Sequence, residues 1–176
     1  MRKEMKYTIF KTKWGYFGIA GNKSGLVGTC LPTTKERVKL LLLKDLKAAE
    51  YDKTFFCELA EQITAYFEGN YVNFSRDIPA APGDFSEFGI AVLNACRDIG
   101  FGETRTYGQL AEKIGRGDAV RAVGGILARN PLPLIIPCHR VICSNGELGG
   151  FSAFGGVTVK KNMLELEKTS IKRVRA

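Results

Sequence analysis

The densest reactive constellation in the chain is Pro137-Cys-His-Arg-Val-Ile142, directly after the apolar run Leu134-Ile-Ile136. A thiolate is the nucleophile in cysteine chemistry, and a neighbouring imidazole or cation favours it by lowering the thiol's pKa. Cys138 has both His139 and Arg140 beside it. The competing reading is plain: a free cysteine next to an apolar run is more often buried packing, and a lone histidine a satisfied polar residue. Cys30, Cys57, Cys96 and Cys143 lack a basic neighbour and read as structural.

A second clue lies upstream. In a helix over residues 119–129, Val120, Val123 and Leu127 share an inward face, while Arg121, Gly125 and Ala128 share one that is bare apart from the arginine. The adjacent glycines Gly124 and Gly125 each cost a helix ~1 kcal/mol relative to alanine. That cost makes sense where another backbone, of protein or nucleic acid, approaches closely. Arg121 on the small-residue face tilts the choice towards DNA, with a tight helix–helix contact as the alternative.

These residues need elements to hold them. Before Ile78 the short aromatic or β-branched runs Tyr7–Phe10, Trp14–Ile19 and Gly25–Gly28 predict a small antiparallel sheet with tight hairpins. Helical spacing follows over 39–43 and 55–67. Residues 78–83, with two prolines and a glycine, read as a linker. Beyond it, helices are predicted over 84–99, over 107–114 with Thr106 as cap, over 119–129 with Asp118 as cap, and over 159–168. The second and third of these form a helix-turn-helix pattern. The fold class is therefore α+β: an N-terminal sheet-plus-helix domain (1–80), a mostly helical C-terminal domain (84–170) and a basic tail (171–176).

Composition bounds the rest. The 176 residues carry 26 Lys+Arg against 18 Asp+Glu, a formal charge of +8, and 45% are hydrophobic, which suits a packed core and a polyanionic partner. Net charge is the same in both halves, but three of 13 basic residues are Arg before residue 81 and eight of 13 after it. Arginine's planar fork matches phosphate, so the second half is the expected nucleic-acid surface. Five cysteines without a C-x-x-C pair and a single histidine exclude a disulfide framework, a zinc ribbon and a His-rich metal site. No signal-peptide h-region and no apolar run near ~20 residues are present, so an intracellular protein of cytoplasm or nucleus, without membrane association, is expected.

Several ordered motifs resemble one family. Phe101-Gly-Glu, Thr106-Tyr-Gly-Gln-Leu-Ala111, Arg121-Ala-Val-Gly-Gly125, Arg129-Asn-Pro-Leu-Pro133, Ile136-Pro-Cys-His-Arg-Val-Ile142, and Val159-Lys with Leu164 and Glu167 are similar to the C-terminal domain of the methylated-DNA-protein-cysteine methyltransferases, the O6-alkylguanine-DNA alkyltransferases. The N-terminal module fits that family by position and size. Phe151 stands where many members carry tyrosine.

The resemblance implies a suicide acceptor. Cys138 would take the alkyl group from O6-alkylguanine, with O4-alkylthymine as a second candidate substrate, by direct displacement and in a single turnover without a cofactor. His139 would deprotonate Cys138 through a water, as adjacent side chains of an extended strand point apart. Glu167 would orient the histidine, Tyr107 would protonate the leaving guanine, and Asn130 would hold the active-site turn. Arg140 is expected in a structural salt bridge. The family pattern also places Thr106, Tyr107, Arg121, Ala122, Gly124, Gly125 and Ala128 against the minor groove of double-stranded DNA. Arg121 would fill the gap left by a flipped nucleotide. Phe151, Ser152, Pro133 and Val141 would form the base pocket, no metal is expected, and the protein would act as a monomer. A non-enzymatic DNA-binding protein and a cysteine hydrolase are the alternatives; the hydrolase needs an oxyanion hole for which the sequence has no signal.

Overall fold

The computed structural model describes residues 4–74, 76–81 and 83–175. Two compact units divide the chain, Met1–Gly83 and Asp84–Ala176. In the first, β1 (Lys6–Thr12), β2 (Gly15–Asn22) and β3 (Gly25–Thr33) pair antiparallel, and a short β4 (Glu50–Tyr51) joins β1 in parallel. The sheet order is β3-β2-β1-β4. Thr12 closes the first hairpin by accepting from Trp14 N and donating to Gly15 O, so Trp14 lies in the turn and not in a strand.

Strand alternation sends successive side chains to opposite faces. Tyr7, Ile9 and Ala20 pack with Val38 and Leu42 of α1 (Lys35–Leu42). Phe17 meets Phe67 of α2 (Cys57–Phe67) at 6.0 Å between ring centroids. Because helices cover both faces, Phe17, Ile19 and Ala20 are all completely buried. Residues 79–81 are more than a linker: Leu26 N donates to Pro79 O and Ala81 N to Leu26 O, which satisfies the outer edge of β3. Pro82 lies outside the described residues.

The second unit packs α3 (Glu87–Arg97), α4 (Tyr107–Lys113) and α5 (Val120–Leu127) around Val92, Leu93, Cys96, Leu110, Val123, Ile126 and Leu127. Thr106 caps α4 with a full capping box: its Oγ1 accepts from Gln109 N at 3.1 Å, and Gln109 Oε1 accepts from Thr106 N at 2.8 Å. Asp118 does not cap α5. Ala119 holds that position, because a turn closed by Ala119 N to Arg116 O brings the chain in one residue later, and Asp118 instead faces Arg116 at 3.8 Å. Val120, expected inward, is exposed, and Ile126 takes its place in the core.

A single-turn 3-10 helix (Cys138–Arg140) leads into β6 (Val141–Ile142), which pairs in parallel with β5 (Arg105–Thr106). The closing helix α6 runs from Gly156 to Arg175, well beyond the predicted end. Residues 171–175 are therefore its last turns and not a separate tail; Ala176 lies outside the described residues. No helix among the described residues is long and apolar enough to cross a membrane.

Candidate active site

Cys138 is presented by a tight turn held from one side chain. Asn130 Nδ2 donates to Ile136 O at 2.8 Å and contacts Cys138 Sγ at 3.1 Å, while its Oδ1 accepts from Leu132 N at 3.0 Å. The intervening Leu134 has φ 79, a left-handed conformation that costs a non-glycine residue ~1 kcal/mol or more and is held here by full burial of its side chain. Asn130 thus fixes both ends of the segment that aims the thiol. Cys138 and His139 are not on an extended strand, as the sequence suggested, but on the 3-10 turn, stabilised by Arg140 N donating to Pro137 O. Burial pushes the Cys138 thiol up; the Asn130 hydrogen bond, Lys160 and the backbone N–H groups of Cys138 and His139 oppose that.

Behind the thiol lies a fully buried ionic network. His139 Nε2 meets Glu167 Oε1 at 2.7 Å. Arg140 forks onto the same carboxylate through Nε and Nη2 and donates from Nη1 to Ile99 O at 2.7 Å. Gly102 N gives Glu167 Oε2 a further hydrogen bond at 2.8 Å. Burial alone would raise the Glu167 carboxyl, but His139 and Arg140 hold it down at about 2. Burial lowers the His139 pKa, against the pull of Glu167, so the imidazole is neutral at pH 7. A carboxylate at Nε2 fixes the proton there and leaves Nδ1 as the basic nitrogen. Nδ1 is buried and has no protein partner among the described residues.

Arg140 is a structural ion-pair residue, as its expected role required. A further cation, not expected at the site, is Lys160 of α6, fully buried, with Nζ donating to Val141 O and Leu148 O at 2.5 Å. Its only sequence signal is the Val159-Lys pair among the family-like motifs. Lys160 Nζ also stands 5.8 Å from the centre of the Tyr107 ring. Burial, and negative charge on Cys143, Cys138 or Cys96, raise the Tyr107 pKa, which keeps its hydroxyl protonated as a donor.

Cys138 opens into a cavity of about 410 Å³ whose walls include Tyr107 and Phe151, with Leu127 and Ala128 on one side and Gly150 and Ser152 on the other. Gly149, at φ +68, lets the loop pass: a Cβ there would meet Cys143 Sγ at 3.1 Å and the Tyr107 hydroxyl at 3.3 Å. Pro133 and Val141, expected in the pocket, do not line it. Pro133 is buried in the turn, bridged to Ile136, and Val141 points into the core from β6 while its carbonyl accepts from Lys160. Leu127 lines the pocket instead.

The outer face of α5 is open. Arg121, Ala122, Gly125 and Ala128 are exposed, and a Cβ on Gly125 would meet nothing within 4 Å. No helix of this unit packs there, which removes the helix–helix explanation for that glycine. Gly124 differs, since its Cβ would stand 3.9 Å from the Tyr107 ring. Part of the arginine bias has an internal cause: Arg116 and Arg129 lie over the rings of Phe88 and Phe85 at 5.7 and 5.6 Å. Among the described residues, no group of three or more His, Cys, Asp or Glu side chains is placed to hold a metal ion.

Comparison with known proteins gives a consistent result over both units. The model for the 6-O-methylguanine DNA methyltransferase DNA binding domain matches residues 87–169, and that for the ribonuclease-like domain of the same proteins matches residues 5–81. A methylated-DNA–protein-cysteine methyltransferase of Methanosarcina acetivorans is 38% identical over 163 residues, covering 93% of this chain and 98% of the relative. One from Methanosarcina barkeri is 38% identical over 170 residues, covering 96% and 100%. The crystal structure of Mycobacterium tuberculosis OGT in complex with DNA superposes with a TM-score of 0.77 at 32% identity, covering 94% of each chain. With both domains matched and relatives aligned over nearly their whole length, the chain belongs to the 6-O-methylguanine DNA methyltransferase family.

Proposed function

We propose that the protein repairs DNA by moving the alkyl group of O6-alkylguanine in a duplex onto Cys138, once per molecule. The observation that carries this reading is the juxtaposition of a buried thiol at the mouth of a cavity with a neutral, buried imidazole whose Nε2 is fixed by Glu167. His139 Nδ1 takes the thiol proton through a water. The thiolate forms an S–C bond to the alkyl carbon as the C–O6 bond breaks, and the electron pair stays on the purine. Tyr107 gives the departing base a proton, matching the one His139 removed. The product is a thioether, whose unactivated C–S bond neither water nor another thiol displaces, so the protein is consumed. O4-alkylthymine presents the same alkyl–oxygen bond and is a second substrate on this reading.

The target atom lies inside the base stack, so the nucleotide must rotate out at a cost of ~a few kcal/mol. In this reading the exposed face of α5 lies in the narrow minor groove and Arg121, exposed on it, enters the stack; the openness of that face supports this. In this reading α4 and α5 act as a helix-turn-helix, with Thr106 at the start of α4 near the backbone. Every reacting group comes from one chain, which supports action as a monomer, in whichever compartment holds the DNA.

Two variants test the DNA face. Gly125→Leu has room in the fold, and leucine is the better helix former by ~0.8 kcal/mol, so its melting temperature should not fall. Its affinity for duplex DNA should drop by about tenfold or more. Unchanged affinity would mean that this face does not meet DNA. For Arg121→Ala, transfer from a duplex should slow by about tenfold or more while transfer from a free alkylated base is unaffected. Equal slowing of both would sink the stack-filling role.

A further inference from the structure

We propose that Arg116 and Arg129 are a pair of preset phosphate contacts at the two ends of α5, each held in place by a phenylalanine ring from the start of α3. The inference rests on the reading above that α5 is the helix that meets DNA. Arg116 lies four residues before α5 and Arg129 two residues after it. Their guanidinium carbons stand 5.7 Å from the centre of the Phe88 ring and 5.6 Å from that of Phe85. The two rings are neighbours, for Phe88 is in the first turn of α3 and Phe85 directly precedes its cap, Ser86. Gly89 makes room for this arrangement: a Cβ there would meet the Phe85 ring at 2.9 Å and Ile126 of α5 at 3.3 Å. Arg129 also runs back along α5, with Nε donating at 3.4 Å to the carbonyl of Gly125, the glycine of the open face.

Among the described residues neither cation has a close carboxylate: none pairs with Arg129, and Arg116 has only Asp118, at 3.8 Å with both side chains exposed. An exposed pair at that distance contributes little. Stacking on a ring covers the flat face of a guanidinium and leaves its N–H groups pointing outward in the plane, the geometry that forks onto a phosphate. It also removes side-chain freedom before DNA arrives, so less is lost on binding. Because the rings come from the start of α3, the two arginines lie on the flank of α5, apart from Arg121 on its outer face. A flank contact meets the sugar-phosphate backbone that borders a groove, which carries no sequence information. The pair therefore adds affinity without sequence preference and fixes the register of α5 on the duplex.

The test is duplex binding by the full chain, followed by fluorescence anisotropy on an undamaged labelled oligonucleotide over about 50 to 200 mM salt. Arg116→Gln and Arg129→Gln should each lower the slope of log affinity against log salt by about 0.9, the share of one phosphate, and the double variant by about twice that. Phe85→Leu and Phe88→Leu keep the charge, so the slope should stay while affinity falls by about threefold or more at every salt concentration. Arginine variants with the unvaried slope overturn the proposal, for the stacked pairs would then only brace α3 against α5. Phenylalanine variants with unvaried affinity overturn it as well, since the rings would then preset nothing. Should a phenylalanine variant fail to fold, Arg129→Lys takes its place: the charge stays and so should the slope, but loss of the stacked fork should weaken binding by about threefold or more. Affinity equal to that of the unvaried protein overturns the proposal. The unvaried protein is scored first: duplex binding that does not respond to salt ends the DNA reading itself, whereas salt-dependent binding with slopes unmoved by either arginine ends this inference alone.

Discussion

Cys138→Ala should fold, bind duplex DNA within about threefold of the unvaried protein, under 1 kcal/mol, and transfer no alkyl group. The substitution removes one sulfur from a side chain that opens on a cavity, so it leaves no new closed void and costs the fold about 1 kcal/mol or less. Asn130 loses its contact to Sγ but keeps Ile136 O at 2.8 Å and Leu132 N at 3.0 Å, so the turn stays in place. The open face of α5 is untouched. Chemistry and binding should therefore separate cleanly, as measured by alkyl release and by fluorescence anisotropy on a labelled duplex. Residual transfer in this variant would show that another thiol accepts the group, Cys143 beside Tyr107 being one candidate. Loss of DNA binding would show that the turn also shapes the DNA face.

Glu167→Ala should be the most damaging single change to the second unit. It leaves the Arg140 guanidinium, His139 Nε2 and Gly102 N without their shared acceptor, all near or within the core. Breaking a buried ion pair from one side costs about 3–5 kcal/mol, a large part of the ~5–15 kcal/mol that holds a domain together. Alkyl transfer should fall with it, since neither the tautomer nor the orientation of His139 is then fixed. Denaturant unfolding of the full chain checks the first effect, and a loss under 1 kcal/mol would mean that the network contributes little to stability.

The same network sets the acid response. Glu167 has its folded pKa depressed to about 2, so its contribution, of order 3 kcal/mol, is present above the unfolded value of ~4.3 and is lost as pH falls through 4 towards 2. His139 also has a lowered folded pKa, so protonation favours the unfolded chain once pH drops below ~6.5. Both act in one direction. Stability should decline from about pH 6.5 downward, steepest below 4, and Glu167→Gln should remove the lower part of that dependence.

What the sequence made legible was local. Thr106 and Gln109 stand three apart and form the capping box their types allow, and the Cys138-His139-Arg140 run announces its chemistry by adjacency. Glu167 lies 28 residues from His139, and its role came from family resemblance alone. Lys160 was invisible for a physical reason: a lysine in an amphipathic helix reads as a solvated side chain, and what buries this one is a ring of carbonyls from Val141 and the 148–150 loop. Asp118 has the right type for a cap but sits one residue too early, because the Arg116–Ala119 turn and not the side chain decides where α5 begins. The family resemblance implies Pro133 and Val141 in the pocket, yet Pro133 is buried in the turn, bridged to Ile136, and Val141 is buried at the start of β6.

The central claim is that Cys138 is the alkyl acceptor, and intact-protein mass spectrometry after incubation with a duplex oligonucleotide containing O6-methylguanine tests it most directly. The protein should gain the mass of a single methyl group in place of a proton, at most once per molecule, with fragmentation locating it on Cys138 and the oligonucleotide left with plain guanine. An unmodified protein, or a methyl group found on any other residue, would contradict the account.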